Sequence, residues 1–163
     1  MDYNIVISLS VAVIALAALG VSMWQGYIAR EHNKLSVKPH LVINRTVFDE
    51  MLIKYTLRNN GLGPAIIESY EIFVDGKKCE GECEEKIKSI LKNLNIKRIQ
   101  HRSFTPSNNQ AISINEKLIL LEFEKQGLSE SNKERLKSSK NSIEFQIKYK
   151  SIYGDNFTFQ GNR

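Results

Sequence analysis

Ile5 to Trp24, IVISLSVAVIALAALGVSMW, runs for twenty residues without a charge, and nothing else in the chain constrains its fold as strongly. As a helix rising ~1.5 Å per residue, such a run reaches about 30 Å, the thickness of a bilayer's hydrocarbon core. A buried core helix is the alternative, but soluble domains rarely carry so long an uninterrupted stretch. A cleavable signal peptide would put basic residues ahead of the run and keep the run shorter. Here Asp2 precedes it, and Arg30, Lys34 and Lys38 follow. The positive-inside rule then predicts a single-pass protein of the bacterial inner membrane, N-terminus outside and C-terminus in the cytoplasm.

The rest of the chain is the size of one globular domain. The expected division is residues 1–36 as transmembrane helix and juxtamembrane extension, and 37–163 as a cytosolic, β-rich, ligand-binding domain. All 23 basic residues fall in the cytosolic part against 17 acidic ones once Asp2 is left outside, an excess of six. A positive domain favours anionic partners such as phosphates, nucleotides, RNA or a lipid surface, although ordinary solubility charge looks similar. Cys79 and Cys83 sit in CEGEC without a second Cys pair, and the three histidines are scattered, so neither zinc nor any other metal is expected. A reducing cytosol disfavours a disulfide and predicts two thiols on a loop.

Periodicity fills in the domain. The helix is expected to continue through QGYIAREHNKL, with Trp24 and Tyr27 as an aromatic belt, and to stop near Val37 because Lys38 precedes Pro39. In HLVINRTVF one face carries Leu41, Ile43 and Val47, with Arg45 as the exception; MLIKYTLR sets Met51, Ile53, Tyr55 and Leu57 on one side. NNGLGPA is dense turn chemistry, in which Gly61 and Gly63 permit positive φ. It is either a tight connection or, through consecutive N–H groups, an anion nest. IIESYEIFV is a third strand closed by Asp75-Gly76, a strong hairpin dipeptide. Ile87, Ile90, Leu91 and Leu94 have amphipathic-helix spacing within Glu84–Asn95. Strands are read at AISIN, KLILLEFE, SIEFQIKYK and NFTFQ, and a short helix over Ser129–Lys137 with Ser129 as N-cap. The predicted fold is an N-terminal transmembrane α-helix plus a cytosolic α+β domain, mostly antiparallel strands with one or two helices.

Catalytic signals are thin. GxxxxGK[ST], GxGxxG, GxSxG and HExxH are all missing, and His101, the only histidine well inside the folded domain, has no nucleophile assignable to it, so no enzyme and no cofactor are expected. Charge placement is more informative. From Lys86 to Asn115 there are six Lys or Arg residues and no Asp or Glu. Its densest part, KRIQHRSF, leads into TPSNNQ. Phosphates suit such a cluster, with Arg as a planar fork, Lys as a point charge and amides to fix position. The candidate ligand-binding residues are therefore Lys97, Arg98, His101, Arg102, Asn108 and Asn109. Phe104, Tyr149 and Tyr153 are candidate base-stacking surface, although strand aromatics usually belong to a core. Lys86, Lys88 and Lys92 read as the solvated side of an amphipathic helix. Within the span, Ser8, Ala12, Ala15, Leu19 and Ser22 form a seam of mainly small residues at heptad spacing, which favours a homo-oligomer.

The span IVISLSVAVIALAALGVSMW, its flank REHNKLSVKP and the segment KRIQHRSF together give an architecture that resembles the small one-span membrane effector of type III CRISPR antiviral systems. That resemblance implies a tetramer, cytosolic binding of the second messenger cyclic tetra-adenylate, and rearranged helices that open a pore or perturb the bilayer, with no DNA partner. LRNNGLGPAIIESYEIFVDG also resembles loops of many bacterial one-span proteins. The alternative is a membrane-tethered adaptor whose β domain docks a protein partner.

Overall fold

A computed structural model describes residues 3–48, 52–139 and 142–161. The chain divides into two compact units, one ending at Ser36 and the other starting at Val37.

The first unit is a single helix, α1 (Tyr3–Ser36), of 34 residues. It contains an 18-residue window of mean hydropathy 2.6, none of it buried, so it is long and apolar enough to cross a membrane. It stops where the sequence predicts, ahead of Lys38-Pro39. Ser8 and Ser22 of the small-residue seam turn their hydroxyls back onto the carbonyls of Asn4 and Ala18, 2.9 Å away in both cases. Both hydroxyls are therefore satisfied inside the helix, and the seam is left with close packing as its means of association.

The second unit is two antiparallel sheets with their apolar faces together. β1 (Leu41–Phe48), β2 (Leu52–Asn59), β7 (Lys117–Glu124) and β5 (His101–Ser103) form the first, in the order β1-β2-β7-β5. The second has the order β4-β3-β8-β9, made of β4 (Lys77–Lys78), β3 (Ala65–Val74), β8 (Ile143–Lys150) and β9 (Asn156–Gly161), with β6 (Ala111–Ile112) added to the start of β3. Two short helices, α2 (Cys83–Asn93) and α3 (Glu130–Ser138), complete it. The expected fold class is the observed one.

Alternation drives the core. In β2, Ile53, Tyr55 and Leu57 are buried and the residues between them are not. In β8, Ile143, Phe145, Ile147 and Tyr149 do the same from the other sheet, and the rings of Tyr55 and Phe145 meet at 5.3 Å between centroids. Two bulges break the period. Between Ile67 and Ser69 the register of β3 shifts, so Ile67 and Tyr70 both point inward although three residues apart. A second shift beside Leu120 lets Leu120 and Leu121 both be buried.

Arg45 is no stray charge. It sits across from Tyr55 on the inward face of β1, where its Nε donates to the Tyr55 hydroxyl at 3.2 Å and its Nη2 to the carbonyls of Leu136 and Lys137 at 3.1 Å. It thus caps the last turn of α3. Val47, expected inside, is exposed at the strand's end, and Met51 lies outside the described residues. Asp75 (φ 50) and Gly76 (φ 76) form the expected hairpin turn between β3 and β4. Ser129 occupies the N-cap position of α3, but its hydroxyl makes no capping bond. The two cysteines are free, yet they are not on a loop together. Cys79 is buried after β4, and Cys83 opens α2 with its Sγ 3.0 Å from the Ser103 hydroxyl.

Candidate functional site

The predicted basic cluster is split by the strand that carries it. His101 and Arg102 are neighbours on β5, and successive strand residues point to opposite faces. His101 lies opposite the buried Phe123, and its Nδ1 is 3.2 Å from the Ile99 carbonyl. Arg102 lies opposite Glu122, whose carboxylate already pairs with Lys54 at 3.0 Å. Lys97 and Arg98 are exposed in the segment between α2 and β5. Arg98, with Gln100, Gln126 and Leu128, lines an open cavity of about 550 Å³.

Asn108 and Asn109 belong elsewhere. The Asn109 N–H donates to the carbonyl of Ile67 at 2.8 Å, and the Ile67 N–H to Gln110 at 2.9 Å, so this loop is tied to β3 in the other sheet. Of the six predicted residues, only Arg98 lines the cavity. The glutamines that complete its wall come from segments separated by all of β7, and no local pattern couples them.

NNGLGPA resolves as a tight connection. Asn59 is fully buried, and its side chain is saturated: Oδ1 accepts from the N–H groups of Gly61 and His40 at 2.9 and 3.2 Å, and Nδ2 donates to the carbonyls of Gly63 and Ile112 at 2.8 and 3.1 Å. The N–H groups of Asn60 and Leu62 go to the carbonyls of His40 and Lys38. Those donors are spent within the domain, so the loop offers no nest. Gly61 and Gly63 are not at positive φ, contrary to expectation. They are glycines because a Cβ on Gly61 would collide with the backbone of Lys38–His40, and one on Gly63 with Val37.

This packing gathers loops around residues 38–40 at one end of the β domain. The N–H of Asn115 reaches the Asn59 carbonyl at 2.9 Å, and Ile66 pairs with Lys150 at the end of β8. Loops normally carry polar side chains, yet here Leu62 is 67% exposed, Ile152 52%, Ile114 49% and Tyr153 46%. Tyr149, a predicted stacking residue, is instead core, while Phe104 is exposed. Burial pushes the hydroxyls of Tyr55, Tyr70 and Tyr149 above the ordinary tyrosine range, against the opposing pull of Arg45 at Tyr55 and of the Leu41 N–H at Tyr149. Burial likewise raises the Cys79 thiol.

No protein-family model matches the chain, and no curated protein matches it in sequence.

Proposed function

We propose that this protein is a membrane-tethered adaptor: α1 anchors it in a bacterial inner membrane, and the β domain docks a protein partner on the cytoplasmic side. The observation that carries this reading is the set of apolar side chains, Leu62, Ile114, Ile152 and Tyr153, exposed in loops at one end of the β domain. Exposed apolar patches rimmed by polar groups mark interaction surfaces. Lys38, Arg58 and Lys117 stand at the same end, as the polar rim of such a patch.

The test is site-specific photocrosslinking in intact cells, with the probe at Leu62 or Ile152 and, for comparison, at Lys92 on α2. Discrete adducts with another protein from the first two positions only, lost in the Leu62→Asp/Ile152→Asp double variant, are the expected result. Adducts to lipid or to a second copy alone would overturn it.

A second reading is favoured by the cavity beside Arg98. In it, the domain binds a multiply phosphorylated ligand such as cyclic tetra-adenylate within a homo-oligomer, and differential affinity for two arrangements shifts the helices. Gln100 and Gln126 would join Arg98 as polar contacts. Arg98→Ala should then weaken binding of cyclic tetra-adenylate about ten- to a hundredfold. Equal binding by both proteins, or none by the parent, removes this reading.

A further inference from the structure

Among the described residues five strands lie at sheet edges, and four of them carry features that keep an edge from recruiting a foreign chain. β4 is only Lys77-Lys78, β6 only Ala111-Ile112 and β5 only His101-Arg102-Ser103, while β1 bears Arg45 on its inward face. Shortness, lysine and inward charge are the usual protections of a sheet edge. β9 has none of them. It runs six residues, NFTFQG, without a charge or a proline, and pairs with β8 in unbroken register from Asn156 to Gly161. Among the described residues no strand pairs with its other side.

Beside this edge lies a groove of about 340 Å³ between residues 38–41 and β9. Its walls are aromatic. Phe157 and Phe159 alternate on one face of β9 and are half-buried, and Phe157 stacks on Tyr149 at 5.5 Å. Lys38 holds its ammonium 5.5 Å from the Phe157 ring centroid, at the mouth of the groove. The Tyr149 hydroxyl accepts from the Leu41 N–H at 3.4 Å, fixing the floor.

We propose that the outer edge of β9 takes an extended acidic segment of a partner protein as an added strand. Main-chain hydrogen bonds to β9 supply affinity, and an apolar side chain of that segment enters the groove between Lys38 and Phe159. This mode rests on the reading of the domain as a protein-docking module. Charge decides between a foreign strand and a second copy. Lys148 and Lys150 lie across from Thr158 and Asn156, and among the described residues Lys150 has an acidic neighbour, Glu68 at 3.5 Å, while Lys148 has none. The β9 of a second copy carries no acidic residue to meet Lys38, and Lys148 stands one strand back from the edge, whereas an acidic strand brings opposite charge to Lys38 at the groove.

The experiment uses the full chain in lipid nanodiscs and two libraries of eight-residue peptides. Alternate positions are randomised among apolar residues, and the intervening ones are fixed as Glu in one library and Lys in the other. The expected result is binders from the Glu library alone, with slowed amide exchange confined to residues 156–161 and their flanks. Lys38→Glu, at an exposed position, should weaken those binders about tenfold. The proposal is overturned if neither library yields a binder, if binders protect other amides, or if residues 156–161 become protected with rising protein concentration and no peptide. Loss of peptide binding with crosslinks at Leu62 intact would reject strand addition and leave the adaptor reading standing. Peptide binding without those crosslinks would do the reverse to the apolar loop surface.

Discussion

Asn59 makes four hydrogen bonds from a fully buried amide, and the chain on either side depends on both ends of it. Asn59→Ala strands two N–H groups and two carbonyls; an unmet group costs about 1–3 kcal/mol, but water entering the vacated space re-pairs part of the four, so a net loss of about 2–4 kcal/mol is expected in denaturant melts. Asn59→Asp should be worse at pH 7, because a buried carboxylate would face the carbonyls of Gly63 and Ile112. Equal stability of the two variants would contradict this account of the loop. The buried tyrosines give a pH test. The folded-state values of Tyr55, Tyr70 and Tyr149 all lie above the unfolded value of 10.0. Their contribution is thus full below pH 10 and is lost as pH rises further, because the unfolded chain releases protons that the folded one keeps. Stability should fall by up to about 1.4 kcal/mol per pH unit per tyrosine above pH ~10. Among the described residues, the Tyr70 hydroxyl has no hydrogen-bond partner. Tyr70→Phe should therefore be neutral or stabilising by about 1 kcal/mol at pH 7, and should flatten the alkaline limb. A clear loss at neutral pH would mean that the hydroxyl is partnered after all.

At the scale of elements, Arg45 joins β1 to α3, a helix with a single buried residue, Leu136, to hold it down. Arg45→Ala removes hydrogen bonds from a charged donor, worth about 1.5–3 kcal/mol together with the packing on Tyr55. Amide exchange across residues 130–139 should accelerate selectively while β2 and β8 stay protected; uniform acceleration would show that Arg45 supports the sheets and not the helix. Such long-range roles explain what was legible. β2, β3, β8 and β9 were readable because each alternates for six or more residues, and the Ile87/Ile90/Leu91/Leu94 spacing fixed α2. β5 was not, since three residues have no period and its pairing to β7 is set by distant sequence. The same blindness blurred the ligand site. A stretch free of acids from Lys86 to Asn115 is a compositional fact, but register sends His101 and Arg102 to opposite faces and ties Asn109 to the other sheet. Arg45 stood out as an exception to the pattern, while its partners, ninety residues on, could not be read from it.

For the whole molecule, orientation decides which compartment the β domain serves. α1 has an uncharged run from Ile5 to Trp24, and every Lys and Arg in the chain follows it. With Arg30, Lys34 and Lys38 close behind the run and Asp2 just ahead of it, basic flanking charge favours keeping the β domain in the cytoplasm. Aromatic Trp24 and Tyr27 suit the interface on that side, and the free thiols Cys79 and Cys83 suit a reducing compartment. A C-terminal fluorescent-protein fusion should therefore be bright and a C-terminal alkaline phosphatase fusion inactive. Converting the flanks, Asp2→Lys with Arg30→Glu, Lys34→Glu and Lys38→Glu, removes the asymmetry and should raise phosphatase activity by exporting part of the population. An active phosphatase fusion on the parent chain would reverse the orientation, and with it every cytoplasmic partner proposed for the β9 edge and the Leu62 loop.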